Sequence, residues 1–156
     1  MTEETFSEYI KAYRASIFRL AYSMVKNRED ADDITQEAFV RLYRSREVFL
    51  TEDNVKAWLI RVAINLSKDH LKSWRTRQRA ELDDNIPVES SREEHLLDCV
   101  KRLKPEYGAV IYLYYYEGYS TDEIAVLRGM KPATVRTRLS RARCQLKKML
   151  MKEDIL

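Results

Sequence analysis

The side chains whose types and spacing bear on chemistry in this chain are charged, and they fall into opposed groups. Asp32, Asp33 and Glu37, with Gln36 and Arg41 beside them, crowd one short stretch. Clustered carboxylates suggest hard-metal phosphoryl chemistry, but that reaction needs carboxylates converging from several elements, whereas these share one helix with no His or Cys nearby. Acids early in a helix also have an ordinary role, because they complement its dipole. His95 and Cys99 stand four residues apart, yet two ligands make a poor metal site. The residues predict no catalytic group, no metal and no cofactor, and no small-molecule substrate. They leave binding as the function class.

The basic residues carry more information. Arg61, Asn65, Lys68, Lys72, Arg75 and Arg79 recur at steps of four and three, which places them in one row along about 27 Å of helix at 1.5 Å per residue. Such a row can follow a nucleic-acid backbone and displace its counterions. Trp58 and Trp74 flank it; Trp58 reads as core, while Trp74 fits either core or a stacking platform. A second basic set, Arg136, Arg138, Arg141, Arg143, Lys147 and Lys148, lies in a stretch with no acid between Lys131 and Lys152.

The elements that must position these groups are helical. The chain has 156 residues, 45% of them hydrophobic, but only 3 Gly and 3 Pro, which is little material for sheet turns. The fold class is all-α. Phe6, Ile10, Tyr13, Ile17, Leu20 and Met24 form one apolar stripe; Asn27 caps a second helix with Ile34, Ala38, Phe39 and Leu42 inside. Ser45–Asn54 breaks the periodicity and reads as a loop. Val55, Leu59, Val62 and Leu66, with Trp58 and Ala63, then give the inner face of the helix carrying the first basic row.

Residues 81–93, rich in acids with a Pro and two Ser, read as a flexible linker between two small helical domains at 1–80 and 94–152. A helix over His95–Leu103 follows, then another from Pro105 with Tyr107, Val110, Ile111 and Tyr114 inside and Gly118 as its stop. The tyrosines of 112–116 read as packing. Ser120 and Glu123 form a capping box, Gly129 marks a sharp turn, and Pro132 restarts a helix with Val135, Leu139, Ala142, Leu146 and Leu150 inside. A short helix, a turn and a second helix bearing basic residues is the arrangement that seats a recognition helix in the DNA major groove.

Net charge is only +3, from 28 Lys and Arg against 25 Asp and Glu, so the segregation of charge matters more than its sum. Acid at 29–37 and 82–94 against base at 61–79 and 131–152 predicts two kinds of partner. No segment has the length of a membrane span or the pattern of a leader, which predicts a cytoplasmic protein without membrane insertion. Two distant cysteines predict no disulfide framework.

Two motif sets carry a family resemblance. Asp30-Ala31-Asp32-Asp33-Ile34-Thr35-Gln36-Glu37-Ala38-Phe39, followed by Ala57-Trp58-Leu59-Ile60-Arg61-Val62-Ala63 with Asn65 and Asp69, resembles the second region of sigma-70 factors. The terminal helix-turn-helix resembles their fourth region. With a short linker between, the chain is similar to the extracytoplasmic-function group of bacterial RNA polymerase sigma factors.

That resemblance implies a transcription initiation factor with no enzymatic activity. It implies that Asp32, Asp33, Gln36, Glu37 and Arg41 dock on core RNA polymerase. It also implies that Arg61, Asn65, Lys68, Lys72 and Arg75 hold the minus-ten promoter element, with the preceding loop receiving a flipped base. Thr134, Arg136, Thr137, Arg138, Ser140 and Arg141 match the positions facing the minus-thirty-five element, and an inhibitory anti-sigma factor is implied as a further partner. Met130-Lys131-Pro132 departs from relatives that carry a hydroxyl cap at this point. The competing class is a helix-turn-helix regulator that acts on DNA without joining the polymerase.

Overall fold

The computed structural model describes residues 1–77 and 103–154. The linker at 81–93, the helix expected over His95–Leu103 (Leu103 apart), His95, Cys99 and Arg79 lie outside the described residues, as do the side chains of Trp74 and Arg75. The chain divides into two compact units, Met1–Trp74 and Arg75–Leu156. Among the described residues there are six α-helices and no strand.

In the first unit, α1 (Glu3–Val25) starts where Thr2 Oγ1 accepts the Thr5 N–H at 3.2 Å, with Glu3 and Glu4 in its first turn. It ends at Lys26, whose φ of +63° is left-handed and costs a residue with a Cβ about 1 kcal/mol. Asn27 then caps α2 (Arg28–Arg44), its Oδ1 accepting the Asp30 N–H at 3.1 Å. Two residues between helices make α1 and α2 packed neighbours. Ile17, Leu20, Ala21 and Met24 meet a core that also holds Ala31, Ile34, Ala38, Phe39 and Leu42, all buried. Thr35 is buried too, and its hydroxyl donates to the Ala31 carbonyl at 2.7 Å, so no donor is stranded.

The helix α3 (Glu52–Arg77) begins three residues before Val55, inside the stretch expected as loop. The cause is local: Thr51 Oγ1 accepts the Asn54 N–H at 3.3 Å, and Glu52 and Asp53 suit the first turn. Its buried face is Val55, Leu59, Ile60, Ala63, Ile64 and Ser67, while Val62 and Leu66 are only half-buried. The inner stripe is therefore rotated toward Ile60 and Ile64 from the one the spacing predicts. Tyr13 Oη reaches the Glu52 carbonyl at 3.3 Å and His70 Nε2 lies 2.9 Å from Asp30 Oδ2, tying α3 to α1 and to α2.

In the second unit, α4 (Pro105–Ile111) opens with Pro at its first turn and passes into a single π-helical turn, Tyr112–Tyr116. The wider turn, closed by the Glu117 N–H on the Tyr112 carbonyl at 3.2 Å, shifts the register. Gly108, Ala109, Val110, Ile111, Tyr112 and Leu113 are all buried, whereas Tyr107 and Tyr114, expected inside, are half-buried. Tyr112 stacks on Tyr116 at 5.3 Å and its hydroxyl donates to Glu117 Oε1 at 2.8 Å, so part of the tyrosine run does pack. Gly118 turns the chain with φ +74°.

Both halves of the capping box form at α5 (Thr121–Arg128): Glu123 N–H to Ser120 Oγ and Ser120 N–H to Glu123 Oε1, each 3.1 Å. Gly129, at φ +63°, makes the left-handed turn before α6 (Pro132–Asp154). Val135, Leu139 and Ala142 of α6 are buried, with Leu146 and Leu150 half-buried, against α4 and α5.

Candidate partner and nucleic-acid interfaces

The acidic residues of α2 stand on its outer face because Ala31, Ile34, Ala38 and Leu42 occupy the inner one. Asp33, Gln36, Glu37 and Arg41 are exposed and Asp32 is half-buried. They bond along the helix: Gln36 Nε2 donates to Asp32 Oδ2 at 3.1 Å, Arg41 Nε to Glu37 Oε1 at 3.2 Å. Arg14 of α1 adds a longer ion pair to Asp32, 3.6 Å. The same face continues into Val40 and Tyr43, 39% and 52% exposed, which sequence reasoning missed. Their signal was two large apolar residues lying off the inner stripe of α2. Acid beside exposed apolar surface suits a protein partner better than bulk solvent.

On α3, Arg61, Asn65 and Lys72 are exposed and Lys68 is half-buried, so the described part of the row stays outside the core. Trp58, read as core, is half-buried and packs edge-on against Phe49 at 6.0 Å. That contact pins the middle of the loop before α3. Its neighbours Val48 and Leu50 are 86% and 87% exposed, a second pair that the sequence reading left unassigned. Anchored in the middle and apolar at both shoulders, this loop offers a surface on which an unstacked base can lie.

On α6, Arg136, Thr137, Ser140 and Arg141 are exposed and Thr134 is half-buried. They flank one another at helical spacing opposite Val135, Leu139 and Ala142, so a single side of the helix is free to enter a groove. Arg138 is placed differently. Its side chain is 25% exposed and turns into its own unit, with Nη1 3.3 Å from Glu106 Oε2. Arg143 is engaged as well: Nε donates to Tyr115 Oη at 2.6 Å, with the guanidinium 5.2 Å and 5.4 Å from the Tyr114 and Tyr115 ring centres. Neither Glu106 nor Tyr115 announces this in the sequence, since both contacts link residues far apart along the chain.

Among the described residues no group of three or more His, Cys, Asp or Glu is placed to hold a metal, and no helix is long and apolar enough to cross a membrane.

Comparison with known proteins gives both halves a counterpart. The model described as Sigma-70 region 2 matches residues 9–78, and that described as Sigma-70, region 4 matches 93–146. The ECF RNA polymerase sigma factor SigE of Mycolicibacterium smegmatis is 32% identical over 96% of this chain, which spans 63% of that protein's length. The RNA polymerase sigma-E factor of Streptomyces coelicolor is 31% identical over 96% of the chain and 88% of its own length. Among solved structures, the sigma factor RpoE in complex with the anti-sigma factor NepR from Bartonella quintana is similar in fold. Its TM-score is 0.78 at 21% identity, over 95% of this chain and 98% of that one.

Proposed function

The chain belongs to the sigma-70 family, in its extracytoplasmic-function group, and from that premise we propose that it binds core RNA polymerase and directs it to promoters. It acts in the cytoplasm, without covalent chemistry of its own. Specificity comes from the minus-ten and minus-thirty-five elements, and an anti-sigma protein serves as its inhibitor.

The observation that supports this reading is the separation of two kinds of exposed surface onto different helices. The acidic face of α2, Asp32, Asp33, Gln36, Glu37 and Arg41 with Val40 and Tyr43, is the polymerase-docking surface. The α3 row, Arg61, Asn65, Lys68, Lys72 and Arg75, holds the minus-ten strand. Phosphate contacts by the cations set the register, and the loop carrying Val48 and Leu50 receives a base drawn out of the stack. Capture of that base offsets part of the stacking lost on melting, so the same contact both recognises and opens the promoter. On α6, Arg136 and Arg141 can each read guanine with two hydrogen bonds, and Thr134, Thr137 and Ser140 supply shorter donors and acceptors.

Run-off transcription tests this directly: the purified chain and core polymerase are given a library of genomic promoter fragments. Specific start sites sharing two spaced elements are the expected result. Absence of any transcript above core enzyme alone would overturn the reading, and DNA binding that persists without polymerase retention would favour a polymerase-independent regulator.

A further inference from the structure

Taking α6 as the recognition helix, as proposed above, we propose that Arg138 is a positioning residue rather than a DNA contact: with Glu106 and Arg128 it fixes how that helix seats on α4 and α5.

Arg138 follows Val135 by three positions and precedes Ala142 by four, so it emerges at the edge of the buried stripe rather than on the side of Arg136 and Arg141. There it meets Glu106, in the first turn of α4, with Nη1 and Oε2 3.3 Å apart. Arg128, in the last turn of α5, adds a second guanidinium whose charge interacts with both, favourably with Glu106 and unfavourably with Arg138. Each of the three α-helices described in this unit thus contributes one charge to a single cluster.

The cluster is unbalanced, because one carboxylate serves two guanidiniums. Arg128 Nε and Nη2 and Arg138 Nη1 are buried and have no hydrogen-bond partner among the described residues. The Glu106 contact is therefore close enough for an ion pair but not aligned as a hydrogen bond. Burial depresses the pKa of Arg128; Glu106 pulls it back up and Arg138 lowers it further, so the three groups sense one another.

Buried donors left unpaired are a cost, and an ionic cluster of this kind is poorly explained as a source of stability. Its better-attested role is to select one arrangement over near neighbours. The recognition helix needs such a device. Its buried apolar contacts among the described residues are Val135, Leu139 and Ala142, three side chains within two turns, which give the helix few fixed points against α4 and α5. A charge drawn to one point on α4 and repelled from one point on α5 supplies the missing directionality. Arg136 and Arg141 depend on it, because two-point base recognition tolerates little displacement.

The test uses the full chain bound to core polymerase, and a promoter fragment obtained by the run-off experiment. Binding is measured to that fragment and to one whose minus-thirty-five element is replaced, across a series of KCl concentrations. Glu106→Gln, a change on α4 rather than on the recognition helix, should reduce discrimination between the two fragments roughly tenfold, the loss of one base contact. Its salt dependence should match the wild type. Arg138→Gln should behave alike, and the double variant should be no worse than either single one, as expected within one coupled unit. Exchanging the pair, Glu106→Arg with Arg138→Glu, keeps one carboxylate between two guanidiniums and should restore part of the discrimination.

Arg141→Gln serves as the contrast, because loss of a direct cation contact flattens the salt slope by about one unit. The proposal is overturned if Arg138→Gln flattens the slope in that way while Glu106→Gln discriminates like the wild type. Should Arg138→Gln fail to fold, Glu106→Gln decides alone, and undiminished discrimination overturns it. Failure of the wild type to yield any transcript would instead sink the parent reading, before a variant is made.

Discussion

Helices α2 and α6 are both long, both amphipathic and both charged on the outside, yet they use their charges in opposite ways. On α2 Asp30 and Asp32 meet His70 of α3 and Arg14 of α1, but along the exposed face the hydrogen bonds join neighbours one turn away: Gln36 with Asp32 and Arg41 with Glu37. Those bonds run along the surface and leave the face flat, acidic and studded with Val40 and Tyr43. On α6 the partners come from elsewhere in the unit. Glu106 takes Arg138 and Tyr115 takes Arg143, leaving Arg136 and Arg141 exposed. A run of basic residues is thus not a uniform surface. Some cations face outward and others brace the helix that carries them.

The comparison breaks most visibly by reversing charge on α2. Asp33→Arg with Glu37→Arg should weaken retention of core polymerase by roughly a hundredfold, because like charges brought together in an interface cost several kcal/mol. The thermal midpoint should barely move, since both residues are exposed; a fluorescence titration against core enzyme reads the first quantity and calorimetry the second. If polymerase binding survives intact, the α2 face is solvent and the contrast with α6 loses its meaning.

A smaller effect sharpens the other side. Arg128→Met replaces a half-buried, incompletely bonded guanidinium by an apolar group of similar length, and buried charges replaced in this way are often neutral or stabilising. The thermal midpoint should rise by a few degrees, the equivalent of about 1 kcal/mol in a small domain. A fall of that size would mean that Arg128 is well paired and that the cluster is balanced after all. The smallest change belongs to Arg41→Ala. Its bond to Glu37 is an exposed pair one turn apart, worth no more than about 0.5 kcal/mol, so chemical denaturation should scarcely register the substitution while polymerase affinity falls measurably.

Much of the architecture was legible beforehand, and the parts that were share a physical reason. Asn27, the Ser120 and Glu123 box, Gly118, Gly129 and Pro132 act on backbone groups within a few residues of themselves, so their types and spacing are sufficient. The start of α3 was missed because Thr51 is an unremarkable cap in a stretch without apolar rhythm. The inner faces of α3 and α4 were partly misjudged for different reasons. In α3, Val62 and Leu66 fit the spacing as well as Ile60 and Ile64 do, and only the neighbouring helices select between them. In α4, the run from Gly108 to Leu113 is buried on every side, so the helix runs through the interior of its unit and no single stripe counted by 3.6 marks its inner face.

The candidate surfaces divide along the same line. Sequence alone determined that the chain is helical, where most helices start and stop, that acid and base are segregated onto separate helices, and that a helix-turn-helix lies near the end. Each of those follows from interactions within one or two turns. Tertiary structure decided which side chains face outward and which turn in: that Val40 and Tyr43 join the acidic face, that Val48 and Leu50 stand out from a loop pinned by Phe49 on Trp58, and that Arg138 is drawn to Glu106. Those outcomes depend on groups brought together from three helices, and no repeat along a single helix encodes a partner that another helix supplies.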